Sequence, residues 1–600
     1  MSSEMGENPW EAVLRGLIDV AMGRRSASRL IRNGRWVCVQ TGEIVDGTDI
    51  ALDGERIAYV GPDASHTIGD DTDVVEAEGR YLVPGLLDGH MHVESGMLTV
   101  TEFARAVMRR GTTGMFIDPH EIANVLGMPG IRMMAQEAVV QPIHVWVQMP
   151  SCVPSRAGLE TPGARIGAQD VAEAFTWPRM IGLGEMMNFP GVSAGDPQML
   201  AEMAEARRAG KIIGGHYASP DLGLAFHAYV AGGAEDDHEG VRLEDAVARV
   251  RQGMKAMLRL GSAWHDVAAQ LPAITQLGLD PRHFMLVTDD SHSGTLVDEG
   301  HMDRVVRFAI QQGASPMTAL QMATLNTAEH FGVAREVGQI APGRFGDVLV
   351  TPDLSSLTAD LVLAKGRVVA EAGELRIDRP VFDYPAAIRQ SVRIPRELRR
   401  EDFQVASPHA GEVTVHVIGV IENQAPTRHL RLPLTAVDGH LPPDRTRDIA
   451  KIALIERHHN SGRIQVGFVQ GFGLREPCAI ASTVAHDSHH LLVVGTDEAD
   501  MAQAANELRR LGGGQIVVSG GRTLGLVELP IAGLMSDRPA TEVARKANEV
   551  LQAMRQVGCT LNNANMTLSL LALVVIPQLR ISDLGLVDVE RFEIVPVVAG

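Results

Sequence analysis

Residues Val83 to Gly96 read VPGLLDGHMHVESG, an apolar run that ends in two histidines one residue apart, with Asp88 before them and Glu94 after. Along a strand, residues two apart point to the same side, so His90 and His92 can aim both imidazoles at one point. That is a metal-ligand geometry. H-x-H is nevertheless common, and from this stretch alone two surface histidines on a loop would read the same way.

The surroundings narrow the choice. From Tyr81 to Ala341, short apolar runs recur with helical patterns between them, the rhythm of βα units. Eight can be counted: YLVPGLLD, TTGMFIDP, IHVWVQMP, MIGLGEMM, KIIGGHYA, the weak GGAEDDHE, KAMLRLGS and FMLVTDDS. Eight strands predict an α/β fold, a (β/α)8 TIM-like barrel, in which functional groups sit at the carboxyl ends of the strands. The polar residues stand there. His90 and His92 fall on the first run, Glu185 on the fourth, His216 on the fifth, His238 on the sixth and Asp289 on the eighth.

Four imidazoles and two carboxylates exceed what one tetrahedral ion needs and match what two bridged ions need. Glu185 would be the bridge, since a carboxylate offers one oxygen to each ion. Two divalent ions would make hydroxide available near neutral pH, because metal binding lowers the pKa of water to roughly 7 from nearly 16. Asp289 is placed to take a proton from it and pass it to a leaving nitrogen. The expected chemistry is hydrolysis at an electrophilic carbon.

Bulk composition sets limits. The chain has 600 residues, 45% hydrophobic, enough for two or three domains. With 74 acidic against 54 basic residues its formal charge is -20, which argues against a nucleic acid or an anionic membrane as partner and leaves a small molecule. Cys38, Cys152, Cys478 and Cys559 are scattered and form no C-x-x-C pair, so reduced thiols and a cytoplasmic location are the expectation. No run of 18 apolar residues offers a membrane span. A first half of the cytidine-deaminase zinc pattern, HVE at 92–94, lacks its partner, since Pro477-Cys478 has no second cysteine three residues on. Neither an H-E-x-x-H helix nor a P-loop motif occurs.

Outside the barrel, 1–30 reads as a helical extension. Residues 31–80 and 342–380 read as hairpins that pair into one small β domain, because neither segment could fill a core alone. The charged stretch RIPRELRREDF, Arg393 to Phe403, reads as a linker, and 395–600 as an α/β or α+β domain. Large barrels of this kind commonly form symmetric dimers or tetramers.

The ordered set of H-x-H, fourth-strand carboxylate, two later histidines and eighth-strand Asp resembles the amidohydrolase superfamily. Within it, PGLLDGHMHVESGMLT, IDPHEIANVLG, GLGEMMNFPGV and TDDSHSGTLVDEGHMD are similar to adenine deaminases, as are VAHDSHH, LPIAGLMS and MTLSLLALVVIPQLRISDLGLVDV. The resemblance runs from about residue 30 to the C-terminus. It implies hydrolysis of adenine to hypoxanthine and ammonia in purine salvage, at a two-metal site holding Mn(II) or Fe(II). By ligand type alone Zn(II) fits as well. Many relatives acting on ring amides use a carboxylated lysine on the fourth strand, where this chain has Glu185.

Deamination also needs a carboxyl group to protonate a ring nitrogen, and Glu239, next to His238, is the first candidate. The competing reading is that Glu239 only orients His238 or pairs with a basic residue. Asp118, His120 and Glu121 read either as substrate contacts or as hydrogen-bonding partners that orient the ligands. His486, Asp487 and His489 in the C-terminal domain leave three readings open: a lid over the mouth, a further ion site, or a solvated turn. A hydrolase of another purine or a cyclic amide, and a non-catalytic metal-binding scaffold, remain as alternative functions.

Overall fold

The computed structural model describes residues 9–422 and 424–599. The first eight residues of the expected N-terminal extension lie outside the described residues, while Pro9–Ala21 forms a helix.

The eight expected runs are the eight barrel strands: β1 Leu86–His92, β2 Thr112–Ile117, β3 His144–Met149, β4 Met180–Met186, β5 Ile212–Gly215, β6 Asp236–Asp237, β7 Lys255–Arg259 and β8 Phe284–Val287. β1 to β5 pair in parallel in that order, and β6 to β8 form a second parallel ladder. Two links close the cylinder. Glu235 N donates to Ile213 O at 2.9 Å between β5 and β6, and Asp289–Asp290, which continues β8, pairs in parallel with Met91–His92 of β1. β2 and β3 are buried along their whole length, as parallel strands covered on both faces require.

The first run is shorter than its apolar extent. Tyr81–Pro84 leaves the barrel and pairs with Val348–Thr351 of the outer sheet, and β1 starts at Leu86. Gly85 permits the change of sheet: a Cβ there would meet Thr113 Oγ1 at 2.0 Å. Asp88, at the middle of β1, fastens the seam to β8. Its Oδ2 accepts from Thr288 Oγ1 at 2.6 Å and lies 3.1 Å from His301 Nε2.

Strands from 29–84 and from 348–375 join in one nine-stranded sheet beside the barrel. The C-terminal residues build an eight-stranded, mostly antiparallel sheet carrying helices Glu498–Leu511 and Ala540–Gln556. The stretch 393–403 is no free linker. Its charges sit outside, but Ile394, Leu398 and Phe403 are buried in the core of the C-terminal sheet, and Arg393 N donates to Arg457 O at 2.8 Å. One packed interior continues from the barrel helices into the C-terminal residues, taking in Leu98 and Phe103 on one side and Leu534, Met535 and Val543 on the other. Backbone bonds of 3.2 Å from Thr99 N to Ser536 O and 2.9 Å from Ser536 N to Met97 O stitch that boundary. No helix among the described residues is long and apolar enough to cross a membrane.

The ends of β5 and β6 share one buried ion pair. Arg249 Nε donates to Asp237 Oδ1 at 2.8 Å, and Asp237 also accepts from the backbone N–H of Tyr217 and Glu239 at 2.5 and 2.8 Å. Because both side chains are essentially unexposed, at 1% and 0%, Arg249→Ala leaves a buried carboxylate without its cation. The variant is expected to lose about 3–5 kcal/mol of unfolding free energy, read by urea denaturation, and a loss under about 1 kcal/mol would contradict this assignment.

Candidate metal centre and active site

Each side chain of the expected set reaches the barrel mouth from the end of its own strand. Alternation on β1 aims His90 and His92 the same way, and Met91, between them, is buried on the opposite face. Glu185, the next-to-last residue of β4, sits in their midst. Its Oε1 faces His92 Nε2 at 3.8 Å and His120 Nδ1 at 3.1 Å. Its Oε2 faces His216 Nδ1 at 2.6 Å, His238 Nε2 at 3.1 Å and His90 Nε2 at 3.7 Å. The two oxygens therefore serve two different groups of imidazoles.

Asp289 stands across the mouth. Its Oδ1 is 3.3 Å from His92 Nε2 and 3.8 Å from His90 Nε2. The backbone there is left-handed, with φ of 59°, a conformation that aspartate tolerates better than most side chains and that ends the regular run of β8 just before it.

Arg259, at the end of β7, is a residue the sequence reading missed. Its Nη1 lies 2.5 Å from Glu239 Oε1 and 2.8 Å from Asp289 Oδ2, and its Nε donates to Asp266 Oδ2 at 2.9 Å. One buried guanidinium thus holds three carboxylates. The signal was a single arginine inside the apolar run KAMLRLGS, which spacing alone does not separate from a surface residue.

The partners explain the ionisation. Burial alone would raise the Glu239 carboxyl, but Arg259, with His216 and His238, brings it below its ordinary range. At Asp289 burial is likewise outweighed by the His92 hydrogen bond and Arg259, and at Glu185 by His216 and His120, leaving both well below the usual carboxylate range.

Of the neighbours, Asp118 accepts from Glu185 N through Oδ2 at 2.7 Å, and its carbonyl oxygen lies 2.8 Å from His92 Nδ1. Burial, with Glu185 alongside, pushes the Asp118 carboxyl up to about 6. Glu121 Oε2 lies 3.7 Å from His92 Nδ1. His216 is oriented by Tyr229, whose hydroxyl accepts from His216 N at 2.8 Å and donates to Met186 O at 3.0 Å. The C-terminal motif divides: His486 and Asp487 come up to His120, whereas His489 is turned into its own bend, where Nδ1 accepts from Ala485 N at 3.2 Å.

Buried polar atoms test whether metal suits this set. Among the described residues His90 Nε2, His238 Nδ1 and Glu121 Oε2 are buried without a hydrogen-bond partner. Converging imidazoles and carboxylates with unsatisfied lone pairs are the donor set of divalent transition ions, so the residues fit. One ligand atom from each of His90, His92 and Asp289 lies within 4.8 Å of the other two, as does one from each of His90, Glu185 and His238.

A closed parallel barrel gathering these donors at its carboxyl end defines a hydrolase of the amidohydrolase class, which uses divalent metal. The amidohydrolase family matches residues 81–369, and the adenine deaminase C-terminal domain matches residues 424–593. The chain is 61% identical over 590 residues to "Adenine deaminase 3" of Rhizobium meliloti, covering 98% of this chain and 99% of that one. It is 62% identical over 586 residues to "Adenine deaminase" of Mesorhizobium japonicum, covering 98% and 97%, and 48% identical over 594 residues to that of Moorella thermoacetica, covering 99% of both. The chain belongs to the adenine deaminase family.

Proposed function

We propose that this site hydrolyses adenine to hypoxanthine and ammonia, and that His90, His92, Glu185, His216, His238 and Asp289 would hold two divalent ions. The observation that carries the reading is Glu185, whose Oε2 faces His216 and His238 at 2.6 and 3.1 Å while its Oε1 faces His92 at 3.8 Å. When bound, the ions would supply hydroxide near neutral pH and polarise the reacting carbon. Mn(II) or Fe(II) is the expected pair, in a cytoplasmic enzyme of purine salvage that assembles as a dimer or tetramer.

The overall reaction adds the oxygen of water to C6 and releases the exocyclic nitrogen. One proton of the water goes to a ring nitrogen during attack, and the second goes to the amino group before ammonia leaves. Glu239 is the group we assign to the first transfer. Arg259 keeps it ionised at rest, so it delivers a proton to the ring only after accepting one from the attacking water. Asp289 takes the second proton from the oxygen and gives it to the departing nitrogen, with Arg259 fixing its outer oxygen. Asp118 holds the Glu185 backbone and the His92 ring in register. The chain divides into 1–30, 31–80 with 342–380, 81–341 and 395–600, with Tyr81–Pro84 moved from the barrel to the outer sheet that both flanks share.

The test follows the ultraviolet spectrum of adenine, with ammonia measured in parallel, using protein loaded separately with Mn(II), Fe(II) and Zn(II). Hypoxanthine with one equivalent of ammonia is expected. No conversion with any of the ions would exclude adenine as substrate.

A further inference from the structure

The residues around Glu185 and Arg259 account for the barrel mouth, yet a second group of donors beside it is unused. His120 begins a short helix after β2, while His486 and Asp487 lie in the bend between strands Ala479–Ser482 and Leu491–Gly495 of the C-terminal sheet. One ligand atom from each of the three lies within 4.8 Å of the other two. Ions bound at about 2.0–2.1 Å by nitrogen and oxygen hold such atoms about 3.3 Å apart, so small side-chain shifts would close the shell.

The group is also under-satisfied. Asp487 is only 2% exposed, and its Oδ2 has no hydrogen-bond partner among the described residues. The same holds for Glu121 Oε2, 3.9 Å from His120 Nδ1. Among the described residues the single ion-pair neighbour of Asp487 within 4.0 Å is His486, whose Nδ1 is 3.7 Å from Oδ1, too long for a hydrogen bond. The nearby buried Arg457 does not help, because its guanidinium donates to the carbonyls of His489, Ala532 and Thr483 and to Ser391 Oγ. A buried carboxylate oxygen without a donor is costly unless a cation meets it.

We propose that His120, His486 and Asp487 form a third divalent-cation site, separate from the bridged pair and shared between the barrel and the C-terminal domain, with Glu121 adding negative charge alongside. Two imidazoles and one carboxylate suit Zn(II), Mn(II) or Fe(II), and the fourth position is left to water. Because the ligands come from both parts of the chain, the ion fastens the C-terminal domain over the mouth. It meets the pair through one ring, since His120 Nδ1 also lies 3.1 Å from Glu185 Oε1.

The experiment uses the full chain, stripped with a chelator, dialysed against Zn(II), analysed for metal and crystallised for a zinc anomalous map. Three ions per chain are expected, one of them in contact with His120, His486 and Asp487, and Asp487→Asn and His486→Ala should each hold two. Peaks at Glu185 alone, or three ions retained in a folded variant, would overturn the third site. Absence of the peaks at Glu185 would instead count against the bridged pair. The wild-type map requires no substitution, so it decides the matter even if both variants fail to fold.

Discussion

Glu185→Gln should bind fewer than two divalent ions per chain and lose more than about 10²-fold in kcat/KM for adenine, since even groups that merely orient metal ligands are worth 10–100-fold. The amide has the shape of the carboxylate but one acceptor oxygen in place of two. Oε2 now faces His216 Nδ1 at 2.6 Å and His238 Nε2 at 3.1 Å, while Oε1 faces His120 Nδ1 at 3.1 Å. Whichever way the amide turns, its NH2 group is set against imidazoles that would have to give up their lone pairs. The negative charge that the proposed bridge would contribute is also gone. Metal analysis beside steady-state kinetics checks both parts, and wild-type metal content with wild-type turnover would remove Glu185 from the bridge.

Arg259→Met is expected to be the most damaging single change outside the proposed ligands. Arg259 is 4% exposed, and its guanidinium is contacted by Glu239, Asp289 and Asp266. Methionine keeps much of the volume and removes the charge, leaving three carboxylates facing one another. Breaking buried pairs in this way costs about 3–5 kcal/mol, which denaturation of the metal-free protein would read directly. In the loaded enzyme the loss should fall on kcat more than on KM, because Glu239 and Asp289 are the groups assigned to proton transfer. Arg259→Lys should recover stability only in part, since one ammonium cannot span partners that the planar fork reaches at once. Unchanged stability and unchanged kcat in Arg259→Met would show that the carboxylates hold their places unaided.

Much of the barrel is legible because its signals are local. Apolar runs of strand length recur between helical patterns, and the chemistry stands at their ends, so the positions of His90, His92, Glu185, His216, His238 and Asp289 can be read before any contact is known. What escapes depends on neighbours distant in sequence. Arg259 looks like any arginine until Glu239, Asp289 and Asp266 are seen around it. Gly85 marks a change of sheet only once Thr113 is placed against it. The 393–403 stretch misleads because its charges outnumber Ile394, Leu398 and Phe403, the three side chains that anchor it. His486 and Asp487 stand out as a polar cluster, but their approach to His120 is set by how two parts of the chain pack.

The continuous interior between the barrel helices and the C-terminal residues also bears on how such a chain can change over evolutionary time. Leu98, Phe103, Leu534, Met535 and Val543 share one core, and Thr99 and Ser536 are joined through their backbones. A deletion that removed everything after 395 would not yield a smaller working hydrolase. It would bare a large apolar face and strip the cover from His120 in the same event. A lineage that shed this domain would first have to rebuild that face as a surface.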